Sequence, residues 1–246
     1  CTLDYDKMSN NEIKYEKDLV YINSYENDTL EILNRLIAYT KEGILGQQQL
    51  NNKFIKDKNL SDSCDPTKIA AIKNVFTNSK LLLIYGAAGT GKTTLINYIS
   101  TLMEGRSKLF MAKTHTAKQN LEARITNPGS NSKFIGIDQF KKSKDNKQYD
   151  VVFIDECSTI DNRTMKIILS KISKDSLLVL AGDIYQIESI EFGNWFYYAK
   201  DIISNNSIVE LDSTWRTKKE NLIKLWNQVR YRKDEIFESL VIDGPF

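Results

Sequence analysis

The run GAAGTGKTT, residues 86–94, follows the apolar stretch LLLIY (81–85) and precedes Leu95, Ile96, Ile99, Leu102 and Met103 at helical spacing. The unbroken apolar run predicts a buried strand, and the spacing after the glycines predicts a helix over about 93–103. Strand, glycine loop and helix in that order make a phosphate-binding loop. Glycines at 86, 89 and 91 let backbone N–H groups approach phosphate oxygens with no Cβ in the way. The helix that opens there adds the positive end of its dipole. Lys92 has the reach for the β- and γ-phosphates, and the Thr93 hydroxyl can join the shell of a Mg²⁺ ion. Gly86, Ala87, Ala88, Gly89, Thr90, Gly91, Lys92, Thr93 and Thr94 are therefore expected to hold a nucleoside triphosphate with Mg²⁺. A GxxxxGK[ST] match arises by chance about once in a hundred chains of this length, so the flanking strand and helix carry the assignment.

From about residue 69 onward, strand and helix patterns alternate. LLLIY (81–85), KLFMA (108–112), VVFID (151–155), LLVLA (177–181) and SIVEL (207–211) read as strands. Helical patterns fall near 93–103, 116–125, 162–173, 193–203 and 218–230. Such alternation predicts an α/β fold, a parallel sheet with flanking helices and ligands at the carboxyl ends of its strands. Residues 1–60 are polar and contain one clear helix, with Asn27 or Asp28 as cap, Leu30, Ile32, Leu33, Leu36 and Ile37 as its apolar face, and Gly43 as its end. The stretch GQQQLNNKFIKDKNLSDSCDP reads as a helix followed by a linker, its glutamines on a solvated face. KKSKDNKQ (141–148) reads as a solvated charge run.

A second set of groups belongs beside the loop. The strand VVFI ends in Asp155 and Glu156. A carboxylate at that edge can complete the Mg²⁺ shell, and its neighbour can orient and deprotonate a water for attack on the γ-phosphate. That combination points to hydrolysis. The strand LLVLA ends in Gly182 and Asp183, with Gln186 three residues on, whose amide can bond both the γ-phosphate and a water. Arg216 stands between the last strand and the helix after it. It reads either as a charge-stabilising finger or as a helix-start residue paired with Asp212.

Composition narrows the partners. A net charge of +2 on 246 residues gives no global field for nucleic acid, so any strand-binding face must be local. Three cysteines (Cys1, Cys64, Cys157) without metal-like spacing, and a single histidine, argue against a zinc site and for a reduced, cytoplasmic protein. No apolar run reaches the length of a membrane span and no signal peptide is visible. A first residue that is cysteine and the final VIDGPF suggest a piece of a longer protein.

The ordered motifs resemble the first motor domain of superfamily 1 helicases, nearest the RecD-like branch (the exonuclease V alpha subunit). GAAGTGKTT matches motif I (Walker A), and LFMAKTHTAKQNLEARI is similar to motif Ia. FIGIDQF is similar to motif Ib, and VVFIDECSTI matches motif II. LAGDIYQIESIEFGNWF resembles motif III through Gly182, Asp183, Gln186 and Gly193, and LDSTWRTKKENLIKLWNQVR resembles motif IV. The likeness covers about residues 65–235.

The resemblance implies a RecA-like P-loop fold and hydrolysis of ATP with Mg²⁺. It assigns phosphate and Mg²⁺ to Lys92 and Thr93, Mg²⁺ to Asp155, water to Glu156, and the γ-phosphate to Gln186 and Arg216. It also implies that Thr114, His115, Asp138 and Gln139 lie along single-stranded nucleic acid, DNA favoured over RNA, with contacts mainly to the backbone. The chain departs from the pattern in four ways. Lys68-Ile69 stands where the family has its adenine-reading glutamine, Thr116 where motif Ia has lysine, and Ile187-Glu188 where Leu-Pro often follows the motif III glutamine. Motifs V and VI are absent.

The resulting expectation is an ATP-driven helicase or translocase. Residues 1–60 form a polar helical segment, 61–211 the RecA-like motor domain, and 212–246 motif IV and the start of a second motor domain whose remainder lies outside this chain. Alone, such a fragment should be inactive or weak. The rival expectation is a regulatory or scaffold NTPase that gates a partner without moving a strand. A small-molecule kinase would need a lid-like arginine cluster, which the sequence does not show, and would leave GDxxQ unexplained.

Overall fold

In the computed structural model, which describes residues 13–16, 19–144, 147–184 and 193–212, strands β1 (Ile13–Glu16) and β2 (Leu19–Ile22) pair antiparallel ahead of α1 (Asn23–Tyr39). Helix α2 (Gln47–Asp57), the one-turn α3 (Leu60–Ser63) and α4 (Pro66–Asn74) come next. Alternation then sets in: β3 (Leu81–Gly86), α5 (Lys92–Leu102), β4 (Lys108–Ala112), α6 (His115–Arg124), β5 (Ser132–Gly136), α7 (Ile137–Lys142), β6 (Val151–Ile154), α8 (Asn162–Lys171), β7 (Leu177–Gly182), α9 (Trp195–Ile202) and β8 (Ile208–Leu211). The six later strands form one sheet in the order β5-β4-β6-β7-β3-β8, every pair parallel. This is the RecA-like P-loop arrangement, with β7 between the phosphate-loop strand β3 and the carboxylate strand β6.

Both faces of the sheet are covered, which is why its central strands read as unbroken apolar runs rather than alternating ones. Along β3, Leu81, Leu83 and Tyr85 enter the core beneath α1, α8 and α9, while Leu82 and Ile84 enter the one beneath α4, α5 and α6. Across β5, β4 and β6, Phe134, Phe110 and Phe153 stand in register and stack, with ring centroids 4.5 and 4.7 Å apart. Phe110 and Phe153, fully buried, each stabilise the fold by about 1.5–3 kcal/mol through area alone, and the partly buried Phe134 by less. Tyr85 reaches across to α9, its hydroxyl donating to the Phe196 carbonyl at 2.9 Å.

All five expected strands are present; β5 is an additional one, as are β1 and β2, which pair within a segment expected to be helical. The helix expected near 218–230 lies outside the described residues. Helix α1 begins at Asn23, earlier than the cap expected at Asn27 or Asp28. Asp28 instead pairs with Lys166 of α8 at 2.8 Å; Ile32, Leu33 and Leu36 bury as expected, whereas Leu30, expected on the same face, is exposed. The helix also ends before Gly43. A Cβ there would fall 2.2 Å from the Thr77 carbonyl oxygen, so the glycine answers a close backbone approach and not a helix end. The glutamine run is not uniformly solvated: Gln47 is buried and donates to Asn51 at 2.8 Å, and Asn51 donates on to the Lys73 and Val75 carbonyls. Among the described residues, no helix is long and apolar enough to cross a membrane.

Candidate functional site

The phosphate loop is shaped by what cannot fit in it. Gly89 and Gly91 have φ of 87° and 89°, the left-handed region that glycine enters without strain. A Cβ on Gly86 would lie 2.5 Å from Thr90 Oγ1 and 2.9 Å from the Leu211 carbonyl oxygen. Thr90 is fully buried and donates to the Ala87 carbonyl at 3.0 Å, bracing the turn from behind. Lys92 opens α5, and its Nζ donates to the Gly86 and Ala87 carbonyls at 2.6 and 3.1 Å. The ammonium therefore lies within the loop, beside the first-turn N–H groups of α5 that have no intrahelical acceptor. Ala88, Gly89, Gly91, Lys92, Thr93 and Thr94 line a cleft of about 550 Å³, whereas Gly86, Ala87 and Thr90 build its floor from behind.

Asp155 and Glu156 face the same cleft from the end of β6. The Asp155 amide still donates to the Met111 carbonyl at 3.0 Å, so the carboxylate is held by an extension of the β4–β6 ladder. Burial pushes the Asp155 carboxyl above its ordinary range, opposed by the Glu156 N–H, the Lys92 and Arg124 charges and the nearby Thr93 hydroxyl. Glu156 is also pushed up, first by burial and then by the Asp155 charge, with Lys92 opposing. Its backbone sits at φ 59°, a left-handed conformation that costs a non-glycine residue about 1–2 kcal/mol. Hydrogen bonds hold the residue there. The Glu156 N–H donates to Asp155 Oδ1 at 2.9 Å, and its carbonyl accepts from the Thr159 hydroxyl and amide at 2.8 and 3.0 Å. Strain of this kind concentrates where a side chain must be aimed.

The donor set fits a magnesium–nucleotide complex. Among the described residues, no group of three or more His, Cys, Asp or Glu could hold a metal ion. Mg²⁺ bound with a nucleotide needs no such cage, only one or two protein oxygens together with phosphates and water. The Thr93 hydroxyl and the Asp155 carboxylate, which line the cleft together, offer those oxygens beside the loop.

Four further charged residues in this cleft were not singled out from the sequence as site residues: Asp183, Arg124, Lys68 and Asp65, which caps α4. Asp183 follows β7, is buried, and its amide donates to Ser158 Oγ at 3.4 Å. Its place in GDxxQ directly after a strand was the available signal. Arg124 closes α6 and carried no signal beyond its position in the motif Ia stretch. Lys68 stood out only as a departure from the expected glutamine. Gln186 and Arg216 lie outside the described residues.

The residues expected along a nucleic-acid strand sit at the same carboxyl edge, farther out. Ala112 of β4 pairs with Gly136 of β5, so Thr114 and Asp138, each two residues beyond, continue from adjacent strand ends. Thr114, His115, Asp138 and Gln139 are all exposed. Thr114 also caps α6, its hydroxyl oxygen accepting from the Ala117 N–H at 3.0 Å. Asp138 and Gln139 line an open depression of about 510 Å³ with Lys133, which no sequence reading singled out, and Lys142, read as part of a solvated charge run.

Comparison with known proteins adds the following. A family model described as an AAA domain matches residues 64–241. The RecBCD enzyme subunit RecD of Buchnera aphidicola subsp. Acyrthosiphon pisum is 29% identical, over 82% of this chain and 38% of its own length. RecD of the subspecies Schizaphis graminum is 27% identical, over 75% of this chain and 35% of its own. A solved structure of two coordinating Pif1 helicases at forked double-stranded DNA is similar with a TM-score of 0.47 and 16% identity, over 82% of this chain and 53% of that one. The chain thus spans well under half the length of the RecD proteins it matches.

Proposed function

Because the chain belongs to the AAA domain family, and within it is a first motor domain of the RecD-like superfamily 1 kind, we propose that it hydrolyses ATP to drive movement along single-stranded nucleic acid, DNA in preference to RNA. The observation that carries this reading is the shared sheet edge. The phosphate loop, Asp155 and Glu156 meet in one cleft at the carboxyl ends of β3 and β6, while Thr114, His115, Asp138 and Gln139 continue that edge across β4 and β5.

In this reading the loop N–H groups and Lys92 bind the β- and γ-phosphates. Thr93 and Asp155 would hold Mg²⁺ beside the phosphates, where the ion would supply positive charge to the transferring phosphoryl group. Glu156 orients the attacking water and accepts its proton, a task suited to a carboxylate whose basicity burial has raised. Gln186 and Arg216 are assigned γ-phosphate contacts by their places in the motifs. Thr114, His115, Asp138 and Gln139 contact the strand backbone. Residues 61–211 are the first motor unit, 1–60 a mainly helical segment, with the paired β1 and β2 within it, that α1 docks onto the sheet, and 212–246 lead toward a second motor domain that completes the cleft.

The test is ATP hydrolysis by the full-length protein, titrated with single-stranded DNA and, separately, RNA. Stimulation by a strand, steeper for DNA, supports the motor. Hydrolysis indifferent to both replaces it with a regulatory NTPase that gates a partner.

A further inference from the structure

Lys68 occupies an unusual place for a lysine. It lies in the first turn of α4, where Asp65 caps the helix by accepting from the Thr67 and Lys68 amides at 2.8 and 3.4 Å. The residue is 5% exposed and lines the nucleotide cleft. A Cβ built on Gly91 would fall 2.8 Å from Lys68 Nζ and 2.9 Å from its Cε. The ammonium therefore rests against the backbone of the phosphate loop, one residue before Lys92. Thr94 Oγ1 lies 3.8 Å from the same point. Gly91 is thus constrained twice, by its φ of 89° and by the lysine packed on it.

The electrostatics of that placement single out a ligand. The loop N–H groups and the start of α5 already present positive charge, and Lys92 adds an ammonium within the loop. A second ammonium stands against the same loop, in a cleft that also holds the Asp65, Asp155, Glu156 and Asp183 carboxylates, and a phosphate seated on the loop meets it at close range. An ammonium carries three donors and no acceptor, so it bonds phosphate oxygens and cannot take a hydrogen bond from the amino group of adenine.

We propose that Lys68 is a second phosphate-binding cation of this site, holding the nucleotide's phosphates from the Gly91 side while Lys92 holds them from within the loop. The inference rests on the nucleotide reading of the cleft. Its contribution is independent of the base, so ATP and GTP gain equally from it.

The experiment is equilibrium calorimetric titration of ATP and of GTP into the full-length protein and its Lys68→Met, Lys68→Gln and Lys68→Arg variants. Near-UV dichroism confirms the fold of each. The two neutral variants should weaken ATP and GTP by the same factor, about tenfold to hundredfold for a lost charge-assisted contact. Lys68→Arg should stay within a few-fold of the parent, and the gap between parent and neutral variants should narrow as salt rises. Folded neutral variants that bind like the parent overturn the proposal, as does a loss confined to one base. A parent that binds neither nucleotide overturns the nucleotide reading of the cleft itself, a result distinguishable from either.

Discussion

The Glu156 amide donates to Asp155 Oδ1 at 2.9 Å, within a turn that holds Glu156 at φ 59°. Each carboxylate thereby fixes the other: one is anchored by its neighbour's backbone, and the neighbour is held in a conformation it would otherwise avoid. The division of labour between them is testable through Glu156→Gln. The amide keeps the side chain's size but cannot take a proton from water, so hydrolysis should fall by a factor on the order of 100–10,000. Nucleotide affinity should stay near that of the parent, because Thr93 and Asp155 are untouched. Turnover rates and calorimetric affinities are the two readouts. A parallel loss of both would make Glu156 a binding or structural residue.

Lys92→Ala should lower ATP turnover by a factor on the order of 100–1,000 or more, since the ammonium meets charge that grows on the transferred phosphoryl group. The fold should survive, because Leu95, Ile96 and Ile99 anchor α5 in the core independently of the lysine. Circular dichroism and steady-state hydrolysis check both halves. Near-normal turnover in the folded variant contradicts the assignment of this loop.

The outer edge needs variants that respect its local structure. Thr114 caps α6, and removing that oxygen costs about 1 kcal/mol of helix stability whatever else the residue does. Thr114→Ser keeps the cap and serves as the folding control, while Thr114→Ala with His115→Ala tests the contact. The double variant should bind single strands roughly ten- to hundredfold more weakly, as loss of one or two hydrogen bonds implies. Its strand-independent hydrolysis should match the parent's. Strand titrations monitored by fluorescence anisotropy decide it, and unchanged affinity would move the strand path elsewhere.

Much of this fold was legible because its central strands are buried on both faces and announce themselves as apolar runs. Where burial relies on hydrogen bonds, the helix can be read but its buried face is missed. The inner face of α2 is Gln47, Asn51 and Ile55, two of them amides satisfied by one another and by backbone carbonyls, so no hydrophobic period marked it. Strand β5 has one fully buried residue in five, Ile135, and its sequence SKFIG was read only as a motif. In the site, the glycine loop and the carboxylate strand end were plain from residue type and order. Lys68 was not, because its role depends on the packing of α4 against Gly91, which no spacing along the chain encodes.

Away from the site, Asp150 and Ser107 clasp the amino ends of β6 and β4. Asp150 accepts from the Ser107 amide and hydroxyl at 2.7 Å each, and its own amide donates back to Ser107 Oγ at 3.0 Å. These bonds, the hydroxyl first, hold the Asp150 carboxyl below its ordinary value, and the Arg106 charge adds to them. A depressed folded pKa stabilises above the unfolded value of about 3.9 and is lost as pH falls through the folded one. Asp150→Asn should therefore cost about 1 kcal/mol or less at pH 7, given an exposed position. The gap should close progressively below about pH 3.9. Urea denaturation of parent and variant at pH 7, 5 and 3.5 measures it, and a gap that widens in acid contradicts the sign.

The central claim is movement, and displacement of streptavidin from biotinylated single-stranded DNA tests it most directly. The full-length protein should strip streptavidin from one end of the oligonucleotide only, with ATP present, and the Lys92→Ala variant should strip it from neither. Hydrolysis that a strand stimulates, with no displacement from either end, would contradict the account and leave a nucleotide switch in its place.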